Sequence, residues 1–103
     1  MAIRYELSQA ADNDIEGLIE YTMQRFGRAQ TQRYLAQIER QLEALIANPR
    51  LGQARDEIRP ALRSRLVGQH LLFYRIKDED TLRVVRVLHT SRDLQRFDET
   101  GSA

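Results

Sequence analysis

The sequence predicts an α+β domain, a four-stranded antiparallel sheet with a helical hairpin packed on one face. Three observations predict it. Ile3, Tyr5 and Leu7 alternate with Arg4 and Glu6, the period-two pattern of a half-buried strand. An apolar stripe at three- and four-residue steps then runs from Ala11 to Ile46, broken once at Gly27. After Asn48-Pro49, three runs rich in aliphatic and β-branched residues follow, separated by short turn signals.

Each element has a local cause. Ser8 offers a side-chain oxygen to cap the first free amides of a helix, and Asp12, Asp14 and Glu16 place negative charge near its positive end. Ala11, Ile15, Leu18, Ile19, Thr22 and Phe26 form one face of that helix, and Gly27 is the residue able to close it in a left-handed conformation. From Ala29 the stripe restarts with Leu35, Ile38, Leu42, Leu45 and Ile46, leaving Gln32, Arg33, Gln37, Glu39, Arg40 and Glu43 to solvent until Asn48-Pro49 ends it. So short a link folds the two helices into an antiparallel pair.

Residues 49–60, PRLGQARDEIRP, carry Pro at each end and read as a surface loop. Leu62 to Leu66 and His70 to Lys77 are then two strands joined at Gly68-Gln69, with Gly where a type II′ turn requires it. After the acidic link Asp78-Glu79-Asp80, the valines of Thr81 to His89 mark the last strand of a three-stranded meander. The expected domain spans residues 1–98, with 99–103 as a disordered tail.

Composition narrows the chemistry. A chain of 103 residues fits one domain and one core. It has no cysteine and two histidines, which excludes thiolate nucleophiles and cysteine zinc sites, so no metal and no cofactor is expected. No apolar run is long enough to span a membrane, and the first residues do not read as a signal peptide, so a cytoplasmic protein is the expectation. The net charge of +1 conceals a basic middle: residues 49–77 carry seven bases against two acids, while both flanks are net negative. Such a segment suits a nucleic acid, an acidic protein or an acidic peptide.

The strands raise one question. From His70, Leu72, Tyr74 and Ile76 occupy one face and Leu71, Phe73 and Arg75 the other; in the last strand Val85 and Val87 oppose Val84, Arg86 and Leu88. Two helices cover only one side. The second apolar face is then left for a partner, for the segment after His89 folding back, or for a second copy of the chain.

The stretches LSQAADNDIEGLIEYTMQRFG, QRYLAQIERQLEALIANPRLGQARDEIRPALRS, VGQHLLFYRI and VVRVLHTSRDL, in this order and spacing, resemble a ParE-type toxin of the RelE/ParE superfamily. The resemblance covers about residues 3–94. It implies the toxin of a type II toxin–antitoxin system, neutralised by a ParD-like antitoxin and inhibiting DNA gyrase by stabilising its cleaved DNA complex. It also implies a complex assembled through the antitoxin, which carries the operator-binding domain, so that the toxin itself need not bind operator DNA. Leu62, Leu66, Leu71 and Phe73 would hold apolar antitoxin side chains, and Arg63, Arg65 and Arg75 acidic ones.

The superfamily also contains ribosome-dependent messenger RNA endonucleases of the RelE type, which rely on a sheet of Lys and Arg and a Tyr near the C-terminus. This sequence departs from them: its tyrosines are Tyr5, Tyr21, Tyr34 and Tyr74, its sole lysine is Lys77, and Phe97 has no hydroxyl. Glu57, Arg65 and His89 imitate a second nuclease arrangement on paper, but His89 reads as a structural histidine. The expectation is no enzyme activity and no catalytic residue. The segment HTSRDLQRF resembles the family's ending at His89, Arg92 and Asp93, and with Arg86 and Arg96 it is the expected target-binding edge. A relative that binds antitoxin but has lost toxicity is a third reading.

Overall fold

The computed structural model describes residues 4–91. Along the chain the elements are β1 (Arg4–Leu7), α1 (Gln9–Ala47), β2 (Gln53–Ala54), β3 (Arg63–Val67), β4 (His70–Ile76) and β5 (Thr81–His89). They form one sheet in the order β1-β5-β4-β3-β2. Ile3, the expected tail and residues 92–98 fall outside the described residues.

Ser8 starts α1 as expected. Its hydroxyl accepts from the Ala11 N–H at 3.0 Å and donates to the Val85 carbonyl at 2.8 Å, so one buried side chain caps the helix and ties it to β5. A straight helix of 39 residues would be about 58 Å long. The longest dimension of the molecule is 37 Å. The reversal occurs at Gly27, where φ is 81° and ψ is −179°, and the two arms, residues 9–26 and 28–47, share one core. In that core Ala11 and Leu18 of the first arm and Ile38 and Leu42 of the second meet Val67, Leu72, Val84 and Val87 of the sheet. Leu45, Tyr74 and Leu82 continue the packing at the other end of the helix-facing side. Phe26, expected in the stripe, is instead 65% exposed, in the last turn before the reversal at Gly27.

The sheet corrects three expectations. It is not wholly antiparallel: β1 pairs with β5 in parallel, Arg4 opposite Thr81 and Leu7 opposite Val84. β3 and β5 share a direction because β4 lies between them, and the connection through residues 48–62 starts β3 in the same sense as β1. The loop 49–60 contributes a fifth strand, β2, of two residues, whose ladder the Arg55 N–H extends to the Leu62 carbonyl at 2.8 Å. Finally, Val85 and Val87 do not share a face. Phe73 pairs with Arg86 and Tyr74 with Val84, so Val85 is an extra residue in β5. This bulge restarts the alternation, putting Val84 and Val87 toward the helices and Val85 and Leu88 away from them.

The face away from the helices is itself a core. Leu62, Leu71, Phe73, Val85 and Leu88 form a separate buried cluster, with Phe73 and Leu62 at 0% exposure. On that face the loop before β3 lies against β4, where Arg75 Nη1 donates to the Pro60 carbonyl at 2.7 Å. On the helix side the Tyr74 hydroxyl donates to the Pro49 carbonyl at 2.7 Å and accepts from the Gly52 N–H at 3.0 Å, anchoring the turn that follows the second arm. The hairpin between β3 and β4 turns at Gly68 with φ 56°, in keeping with its expected role.

Candidate functional site

The seven residues expected to meet a partner are divided by the sheet. Leu62, Leu66, Leu71, Phe73 and Arg75 belong to the face away from the helices, whereas Arg63 and Arg65 alternate to the helix side with Val67. Their burial divides them again. Leu62, Leu71 and Phe73 are buried, while Leu66 is 59% exposed. The arginines are partly engaged within the chain: Arg63 donates to the carbonyls of Gly52 and Arg50, and Arg65 Nε to Gln41 Oε1 at 3.0 Å.

Leu66 stands over a shallow cavity of about 470 Å³ lined by Leu51, Arg55, Ser64, Arg65 and Leu71 among others. The cause is a short neighbour. β2 covers β3 only at Arg63 and Ser64, so the edge of β3 from Arg65 to Val67 has no strand beside it among the described residues. The Leu62 carbonyl faces β2, and strand alternation therefore turns the N–H and C=O of Leu66 toward the same open edge. Leu51 at 38% exposure adds apolar surface, and Arg55 adds charge. Arg55 Nε donates to Ser64 Oγ at 2.8 Å, and Nη1 meets Glu57 at 3.4 Å, which holds the guanidinium beside the groove it lines. The sequence pattern did not mark Leu51 and Arg55 because a loop has no periodicity to assign its side chains to a face.

At the other expected edge the structure places two residues and leaves Arg92, Asp93 and Arg96 outside the described chain. Arg86 is held by Asp14, with Nε to Oδ2 at 2.8 Å and Nη2 to Oδ1 at 2.9 Å. His89 sits opposite His70 on β4, ring centroids 5.2 Å apart and edge-on. Tyr34 of the second arm completes the group. Its hydroxyl donates to the Val67 carbonyl at 2.8 Å, accepts from the Gln69 N–H at 3.2 Å and lies 2.7 Å from His70 Nδ1. A phenol has one proton; with the Val67 carbonyl accepting it, the Tyr34 oxygen is an acceptor for the Nδ1–H tautomer of His70. His89 is fixed oppositely: its Nδ1 accepts the Ser91 N–H at 3.2 Å, leaving the proton on Nε2. Burial pushes the Tyr34 phenol up, opposed by the Gln69 N–H. Glu57, Arg65 and His89 are held by separate partners, Arg55, Gln41 and Ser91, and Tyr34 is the tyrosine nearest this end.

Among the described residues no group of three or more His, Cys, Asp or Glu side chains could hold a metal ion, and no helix is long and apolar enough to cross a membrane. What the surface offers is an apolar groove, an open strand edge and arginines, which are features of protein recognition.

The chain is 44% identical over 96 residues to Toxin ParE1 of Mycobacterium tuberculosis (strain ATCC 25618 / H37Rv), covering 93% of this chain and 98% of that relative. It is 33% identical over 90 residues to Toxin ParE of Escherichia coli, covering 87% of each. Among solved structures it superposes on a chain of the chromosomal ParDE TA system from P. aeruginosa with a TM-score of 0.73, at 15% identity, covering 88% of this chain and 98% of that one. That likeness concerns the fold. Residues 5–94 match the family described as the ParE toxin of type II toxin-antitoxin system, parDE, and the chain belongs to that family.

Proposed function

We propose that this chain is an active toxin that inhibits DNA gyrase by stabilising its cleaved DNA complex, and that a ParD-like antitoxin neutralises it by occupying the groove beside β3. The observation that carries the antitoxin half is the conjunction at Leu66. An apolar side chain at 59% exposure, a strand edge with no neighbouring strand among the described residues, and Arg55 lining the groove together suit an extended segment with aliphatic and acidic side chains. Such a segment would add a strand through the Leu66 backbone, set an aliphatic side chain among Leu51, Leu66 and Leu71, and place a carboxylate on Arg55 or Arg65. The buried Leu62 and Phe73 support this surface from beneath.

The gyrase half rests on family membership and on the separation of the candidate nuclease residues among the described residues. Tyr34 is saturated by three hydrogen bonds, and Glu57, Arg65 and His89 serve different partners. The protein is accordingly proposed to act by binding in the cytoplasm, without metal or cofactor, at the β5 end around Arg86 and His89. One toxin per antitoxin chain is expected, assembled through the antitoxin. The test is incubation of the purified protein with gyrase, supercoiled plasmid and ATP, followed by detergent and protease. Accumulated linear DNA supports the reading; unaltered supercoiling rejects gyrase as target, and cleavage of messenger RNA on translating ribosomes would replace it with the endonuclease reading.

A further inference from the structure

The turn end of the helical hairpin carries a surface that neither the core nor the groove uses. Phe26 is 65% exposed and Met23 43%. Three residues apart, they are neighbours on the last turn before Gly27. Thr22, just before them, is buried at 8%, so the arm is still packed at this level. Phe26 is exposed because of where it lies, on a helix that is otherwise held.

The charge of this end is one-sided. Between Glu20 and Glu39 the sequence has no acidic residue and three arginines, Arg25, Arg28 and Arg33. Among the described residues no ion pair involves any of them. Arg25 stacks over the Tyr21 ring at 5.0 Å, and Arg33 donates to Gln30 at 2.8 Å. Arg28 is exposed in the first turn of the second arm, where the helix dipole disfavours a cation. It does nothing for the helix that carries it.

We infer that this end of the hairpin is a docking surface for a protein that presents carboxylates around a small apolar pocket. Resting on the toxin reading, that protein is the toxin's target, which would meet this end in addition to the β5 end around Arg86 and His89, the antitoxin being assigned to the β3 groove. Uncompensated arginines select an acidic surface, and adjacent Met and Phe side chains supply the apolar anchor. A nucleic acid is the poorer occupant: Glu20 borders the patch, and of its two aromatics the Tyr21 ring is stacked under Arg25, so no succession of open rings is offered to stacked bases.

The test compares wild type with the double substitution Phe26→Ser and Arg28→Glu in three measurements: growth arrest on induction, co-purification with the antitoxin, and thermal unfolding. Expected are survival raised by about tenfold or more, with antitoxin binding and melting temperature unchanged. A second variant, Arg25→Glu with Arg28→Glu, makes the same comparison without touching an apolar residue. Equal arrest by wild type and variants overturns the inference and leaves the toxin reading intact. Loss of antitoxin co-purification overturns it by making this the antitoxin's surface. A wild-type dimer that the variants dissolve overturns it in favour of a second copy. A wild type that causes no arrest defeats the toxin reading itself, and the target assignment falls with it.

Discussion

Arg86 and Asp14, seventy-two residues apart, meet fork to fork, and the same Asp14 Oδ2 also accepts the Val87 N–H at 2.9 Å. The carboxylate thereby does the work of a missing strand. β1 stops at Leu7 opposite Val84, so the outer edge of β5 beyond that point would otherwise present an unpaired donor beside a cation. Asp14 serves both because Ser8 starts the first arm directly over β5.

Replacing Asp14 by Ala is therefore expected to destabilise the protein by about 3–5 kcal/mol, the usual cost of removing one member of a nearly buried pair. The side chains are 14% and 11% exposed, enough to place the loss at the lower end of that range. Asp14→Asn, which keeps an acceptor for Val87, should lose less. Urea denaturation monitored by circular dichroism measures both. Equal losses would show that charge, and not the Val87 hydrogen bond, dominates. Because Arg86 is bound in this way, an Arg86→Ala change tests stability before it tests toxicity.

Gly27 makes a second, sharper prediction. An added methyl group would meet nothing within 4 Å, so space does not oppose Gly27→Ala. The backbone does. With φ 81° and ψ −179° the residue occupies a region nearly reserved for glycine, and Ala there should cost about 1–3 kcal/mol. A chemically synthesised chain with D-Ala at this position should retain or exceed wild-type stability. If L-Ala proves neutral in thermal unfolding, the arms reverse by some other conformation.

The features that could be read from the sequence share a property: each is decided by the chemistry of one short stretch. Ser8 caps, Gly27 reverses the helix and Gly68 turns the hairpin because their own atoms allow it. The features that could not be read are decided between strands. Nothing near Val85 announces a bulge, which exists only in the pairing of Phe73 with Arg86 and Tyr74 with Val84. The parallel pairing of β1 likewise depends on how β3 is delivered after residue 62. The candidate groove is an intermediate case: alternation already separates Arg63 and Arg65 from Leu62 and Leu66, while Leu51 and Arg55 reach the groove from a loop whose path no period encodes.

Leu66 and Phe73 lie on the same face yet should respond oppositely to substitution. Phe73 is fully buried in the second cluster, and Phe73→Ala should cost about 3–5 kcal/mol through the cavity it leaves. Leu66→Asp, at an exposed position, should leave the melting temperature within a few degrees of wild type while weakening antitoxin by about tenfold or more. The second number comes from a competition assay with labelled antitoxin peptide. Wild-type affinity in Leu66→Asp would move the antitoxin off the β3 groove.

Acid should loosen the β1 edge in a defined window. Glu6 Oε1 accepts from Lys77 Nζ at 3.0 Å and Arg83 Nη1 at 2.9 Å, and the Lys77 hydrogen bond, followed by that of Arg83, holds its carboxyl below the ordinary 4.5. Asp78 is shifted in the same direction, chiefly by the Asp80 N–H. A folded-state pKa that is depressed means the folded protein binds fewer protons than the unfolded chain. Stability from Glu6 is thus fully present above 4.5 and is lost as pH falls through its lower folded value. Glu6→Gln removes this proton linkage, so its unfolding midpoint should fall less steeply than wild type below pH 4.5 and run parallel to it at neutral pH. High salt should narrow the difference, because the three side chains are solvent-accessible. Parallel curves throughout the acid range would mean that Lys77 and Arg83 do not hold Glu6 in solution, leaving the backbone ladder with β5 as the main tie on β1.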